Sequence, residues 1–294
     1  MENLVKRDIE EIKLEDVPVS SEPSLVKDYF TEDGSQKIKE LADLFGQSEC
    51  ELKKEFGSFK AKKVYKKLNY FIDNRFKLNG DIINLIKTAE KYGFYGVTVY
   101  PTALPLAVAL LVGSSVKVRA LIDYPSGESS FKTIKYSLKQ ALNDGAEEFL
   151  ISLSAYEFKN DDNREIFKKV KKLVKRADGN KVSVLLDTAV LSRAELEKII
   201  NLLWVSGIYS IVLMRSQGEL DKNLAIELAG FAGDRINVEC LCDINCSEVA
   251  VSTLLGGVSM LTTEYCQEIV LDFSKKINAC DSAGVQPLDK TDKE

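Results

Sequence analysis

The chain reads as an α/β protein, a (β/α)8 TIM barrel with an N-terminal helical extension. Three observations predict this class. Short apolar runs rich in β-branched residues alternate with amphipathic, helix-like stretches. Gly93, Gly113, Gly145, Gly179, Gly207, Gly233 and Gly257 each stand between a helix-like pattern and the next apolar run, 20 to 34 residues apart, which is the size of one β/α repeat. No glycine-rich phosphate fingerprint opens any of the helices, which counts against the rival, an open doubly wound sheet.

Residues 1–62 lie outside the repeat. Leu4, Val5, Ile9 and Ile12 could form one apolar helical stripe, and Ile38, Leu41, Leu44 and Phe45 another. PVSSEPS between them reads as a loop. These helices are expected either to pack on the barrel or to serve as an arm for oligomerisation or a protein partner. The first strand is expected at Asn69–Ile72. Seven further runs follow: GVTVY, VKVRALI, EEFLISL, KVSVLL, IYSIVL, INVECL and VSMLT.

The clearest repeat is 181–217. Val182–Leu186 is apolar throughout, as a strand covered on both faces must be. Ser192, three residues before Glu195, makes a capping box that starts a helix. Leu196, Ile199, Ile200 and Leu203 give that helix one buried stripe. Gly207 ends it, and Ile211–Leu213 opens the next strand, which should be parallel through a right-handed crossover. The barrel is assigned to residues 63–280; 281–294 is polar without periodicity and is expected to be disordered.

With 294 residues and 45% hydrophobic content, the chain can bury one large core. A net charge of −5 gives no general attraction to nucleic acid or to anionic membranes. No apolar run is long enough to span a bilayer, so no membrane partner is expected. Six scattered cysteines fit a reducing cytoplasm better than a disulfide framework. There is no histidine, which removes imidazole ligation, the usual acid/base group and every Ser-His or Cys-His nucleophile. No cofactor and no metal are expected.

In a barrel of this type chemistry collects at the C-terminal strand ends. The candidates there are Asp73, Tyr100, Asp123, Ser152, Asp187, Glu239, Asp243 and Glu264. The carboxylates either pair with Arg75, Arg119 or Arg215 and cap backbone N–H groups, or form an acidic pocket for a cation held by oxygen ligands. Arg215 has the opposite strand parity from Met214 and is expected outside the pocket. Cys240, Cys242 and Cys246 are spaced C-x-C-x3-C, but Cys240 and Cys242 should face the helix layer as buried structural residues.

The strands in this order resemble those of deoxyribose-phosphate aldolase, a class I aldolase. The supporting segments are FID at 71–73, YGFYGVTVYPTALPLAVALL at 92–111, KVRALIDYPSGESS at 117–130, DGAEEFLISLS at 144–154 and VSVLLDTAVLS at 182–192. The resemblance implies a Schiff-base lysine at the end of the sixth strand, a second lysine on the seventh and a proton-shuttling aspartate on the fourth. Those positions fall on Val212 or Met214, on Glu239 and on Leu150; only the first-strand aspartate is matched, by Asp73. The family's glycine-rich phosphate loops correspond here to 241–243, Leu-Cys-Asp, and 262–265, Thr-Thr-Glu-Tyr. A carboxylate beside a lysine keeps its amine protonated, and carboxylates beside a phosphate repel it. The expectation is therefore a degenerate, non-catalytic barrel that binds a small molecule, regulates or builds an assembly, with a homo-oligomer among the expected forms. The alternative is a lyase acting on a small carbonyl or sugar through a rebuilt carboxylate site at Asp73, Glu239 and Asp243.

Overall fold

A computed structural model of the protein describes residues 61–73, 75, 77–160 and 163–282. The strands are β1 (Leu68–Ile72), β2 (Gly96–Val99), β3 (Lys117–Ile122), β4 (Glu148–Ser152), β5 (Lys181–Asp187), β6 (Ser210–Met214), β7 (Asn237–Leu241) and β8 (Met260–Thr263). They close into one barrel in sequence order, every neighbouring pair parallel, with β8 returning to β1 through Leu68↔Leu261 and Asn69↔Thr262. The helices are α1 (Asn79–Tyr92), α2 (Leu104–Leu110), α3 (Phe131–Asn143), α4 (Ala155–Asn160), α5 (Asn163–Arg176), α6 (Arg193–Val205), α7 (Lys222–Ala232), α8 (Ser247–Leu255) and α9 (Cys266–Ser282). The expected (β/α)8 order is the observed one.

Side chains alternate along each strand, and the alternation separates two cores. Outward residues such as Tyr70, Val97, Ala120, Ile151, Val184, Leu213 and Cys240 pack under the helices. Inward residues Phe71, Leu121, Leu150, Leu185, Val212 and Met214 fill the upper barrel. Helix α6 shows how the sequence builds the outer layer. The Ser192 backbone N–H donates to Glu195 Oε2 at 2.8 Å, and the Glu195 N–H donates back to Ser192 Oγ. Leu196, Ile199, Ile200 and Leu203 are all buried, each contributing on the order of 1.5–3 kcal/mol. Gly207 takes a left-handed φ of 91° that a side chain would resist.

The expected N-terminal helices of residues 1–60 and the tail of 283–294 lie outside the described residues. Residues 61–65 are helical, and Ala61, Val64 and Tyr65 already join the outer core. Among the described residues no helix is long and apolar enough to cross a membrane.

Candidate functional site

The barrel interior has two ends of different chemistry. At the N-terminal ends of the strands lies a buried ion lattice. Arg119 of β3 is fully buried and donates from Nη1 to Glu239 Oε2 at 2.7 Å and from Nη2 to Glu148 Oε2 at 2.9 Å. Glu239 also accepts from Lys181 Nζ at 2.9 Å and Ser210 Oγ at 2.7 Å, while Tyr95 donates to Glu148. Burial alone would push the Glu239 carboxyl up. The Arg119 and Lys181 charges more than reverse this and hold it at about 2. Glu239 was expected at the mouth. Its carboxylate instead turns down toward Arg119, because a buried guanidinium at the strand base must find carboxylates within reach.

At the opposite end the floor of the mouth is apolar and aromatic. Phe71, Tyr100 and Tyr124 meet with ring centroids 5.8 to 6.2 Å apart, beside Leu150, Val212, Met214 and Leu241. These side chains fill the centre of the upper barrel. On the β6–β8 side a pocket of about 190 Å3 stays open. Its walls include Asp73, Arg75, Tyr124, Met214, Arg215, Glu219, Asp243 and Glu264. Among the described residues no lysine lines it.

Most of the candidate carboxylates are engaged in holding loops. Asp73 receives a fork from Arg75, Nε to Oδ1 at 2.9 Å and Nη2 to Oδ2 at 2.5 Å, and that pairing holds its carboxyl below the usual range. The Arg75 guanidinium also lies over the Tyr100 ring, 5.6 Å from its centroid. Glu264 pairs with Lys77 at 3.4 Å. Asp123 has a left-handed φ of 58° and accepts from the Ser129 N–H at 2.9 Å and Oγ at 2.6 Å. Asp187 accepts from the Ala189 and Ser216 N–H groups at 2.9 and 3.1 Å, tying the loop after β6 to β5. Asp123 and Asp187 thus brace the rim and do not line the pocket. Ser152 is buried, and its hydroxyl has no hydrogen-bond partner among the described residues. Tyr100 holds its phenol protonated, pushed up to about 12 by burial and Asp73. Of the candidates, Asp73, Asp243 and Glu264 reach the pocket together.

Arg215 was expected outside the pocket, yet it lines it. Strand parity ceases to apply because β6 ends at Met214, and the loop then turns through Gly218, with φ 83°. The RSQG sequence was the available sign of that turn. Cys240 is buried in the outer core as expected. Cys242 packs against that core too, but also touches the pocket wall, and burial pushes its thiol up to about 12. Among the described residues no three Cys, Asp or Glu side chains are placed to hold a metal ion, because the rim acids are spread around the opening and several face cations.

No family model matches the sequence. The chain is 26% identical over 198 residues to a deoxyribose-phosphate aldolase of Dictyoglomus turgidum, covering 66% of this chain and 90% of that protein. It is 31% identical over 115 residues to a deoxyribose-phosphate aldolase of Clostridium botulinum, covering 39% of this chain and 54% of that one. In sequence the chain is similar to deoxyribose-phosphate aldolases. The fold agrees: a tetrameric deoxyribose phosphate aldolase from Aeropyrum pernix superposes with a TM-score of 0.68 at 17% identity, over 76% of this chain and 97% of that one. The match to the Dictyoglomus protein spans most of that relative, whereas the Clostridium match spans about half.

In this aldolase-like barrel the candidate lysine positions of the sixth strand are both apolar. Val212 and Met214 are buried in the upper core, with Leu150 nearby in the same cluster. The mouth can hold a small polar molecule over an apolar floor. Among the described residues it offers no lysine amine for an iminium, and the Arg75 fork holds the Asp73 carboxyl below its usual range.

Proposed function

We propose that the chain is a non-catalytic relative of the deoxyribose-phosphate aldolases that binds a small molecule reversibly at the barrel mouth. One observation carries this reading: the strand ends that face the pocket supply Met214, Leu241 and Phe71 and, among the described residues, no lysine. Class I aldol chemistry needs a lysine that is neutral near pH 7 and within reach of the substrate carbonyl. A lyase using Asp73, Glu239 and Asp243 is less well supported. It needs a carboxyl held protonated near neutrality, whereas Arg75 lowers Asp73, and Glu239 belongs to the lattice at the other end.

The test is retro-aldol cleavage of 2-deoxyribose 5-phosphate with borohydride trapping. Neither acetaldehyde release nor a covalent adduct is expected; a reduced adduct on any lysine would sink the reading. The same proposal places the protein in the cytoplasm, supported by the free thiols of Cys240, Cys242, Cys246 and Cys266. It also allows a homo-oligomer, as the tetrameric relative suggests, with residues 1–60 as an arm toward a partner or a second copy.

A further inference from the structure

We propose that the mouth pocket takes a small zwitterion, with an ammonium group facing Asp243 and a carboxylate facing Arg215. The proposal rests on the reversible-binding reading above and names its class of ligand.

The argument is one of charges already spent and charges left over. Four carboxylates and two guanidinium groups line the pocket. Asp73 and Arg75 satisfy each other through their fork. Glu264 is matched by Lys77. That leaves Asp243 on the loop after β7, Arg215 on the loop after β6, and Glu219 a few residues beyond Arg215. Among the described residues no ion pair joins Arg215 to Asp243 or to Glu219, although all three face one cavity. Opposite charges held apart across a pocket are complementary to a molecule that carries both signs.

The Arg215 side chain is held in place. Its Nε donates to the Gln217 carbonyl at 2.7 Å, and the loop is tied to β5 by the Ser216 N–H on Asp187. The Nη groups have no described partner, so a bidentate carboxylate contact is open to them. The volume of about 190 Å3 far exceeds the roughly 10–15 Å3 that one water needs. It suits a compound of amino-acid size rather than a lone ion. Below the charges, Phe71, Met214 and Leu241 offer an apolar floor to a short carbon chain. The loop after β7 carries Asp243 without an ion-pair partner among the described residues, so a phosphate ester at the mouth would face repulsion from it.

The experiment is calorimetric titration and thermal shift of the full chain with β-alanine, 4-aminobutyrate and L-serine, with acetate, ethylammonium and inorganic phosphate as controls. At least one doubly charged probe is expected to bind and the three controls to bind at least about tenfold more weakly. Asp243→Asn and Arg215→Gln should each weaken that binding by about tenfold or more. Both side chains are exposed, so the variants should keep the wild-type melting temperature, which is read in the same runs. Binding by a singly charged control at equal strength, unchanged binding by either variant, or no binding by any zwitterionic probe would overturn the assignment. A borohydride-stable adduct would overturn only the non-catalytic reading, since the charge dependence is read separately from the variants.

Discussion

Arg119 on β3 and Glu239 on β7 meet inside the barrel at 2.7 Å, two nearly inaccessible side chains from opposite staves. Glu148, Lys181 and Ser210 complete their hydrogen bonds. The cluster sits at the strand N-termini, the end of such barrels that serves stability.

Removing one member strands the others in a dry site. Glu239→Ala should therefore cost about 3–5 kcal/mol, read as a drop in urea midpoint with an unchanged m-value. A loss below about 1 kcal/mol would show that the lattice is slack or hydrated.

The same carboxyl sets an acid limit. Its folded pKa, about 2, lies below the ordinary value of 4.5, so the folded state favours the ionised form. Its contribution is complete above about pH 4.5 and is lost as pH falls toward 2. Unfolding free energy measured from pH 6 to 2 should fall in the wild type. The fall should be shallower in Glu239→Gln, which has no proton to take up there.

Installing the missing amine tests the mouth directly. Met214→Lys places a lysine among Phe71, Leu241 and Tyr124, where burial depresses an ammonium pKa. The variant is expected to form a borohydride-trappable adduct with a small aldehyde while the wild type does not, detected by intact mass. Absence of the adduct would mean that the mouth excludes an aldehyde or that its carboxylates keep the new amine protonated.

Tyr100 carries a buried hydroxyl with no hydrogen-bond partner among the described residues. Tyr100→Phe removes an unsatisfied group and keeps the ring that packs tilted against Phe71 and edge-on against Tyr124. It should leave stability unchanged or raise it by about 1 kcal/mol, seen as an equal or higher melting temperature.

Gly127 has φ 70°, and a Cβ there would sit 2.5 Å from the Leu153 carbonyl carbon. Gly127→Ala should cost at least about 1–3 kcal/mol and loosen the loop that Asp123 braces. A melting temperature within a degree of wild type would contradict the tight packing of the β3 and β4 exit loops.

The barrel was legible because its signals are local. Continuous apolar runs, the Ser192–Glu195 box and the glycines after each helix all act within a few residues of themselves. The ion lattice was not, since Arg119, Glu148 and Glu239 are remote in sequence and only barrel closure brings them together. The sign was nevertheless present: an arginine inside the apolar run VKVRALI requires carboxylates from neighbouring strands. At the mouth, chain position identified which acids stand at strand ends but not which of them are consumed by loop braces. Asp123 and Asp187 differ from Asp243 in the N–H and hydroxyl donors that face them.

Because the lattice of Arg119, Glu148, Lys181 and Glu239 seals the barrel from below, the opening beside Met214 is a well with one door. Whatever enters must leave by the same route. A ligand held there would exchange only across the loops around that rim, and those loops can change without disturbing the foundation on which the staves stand.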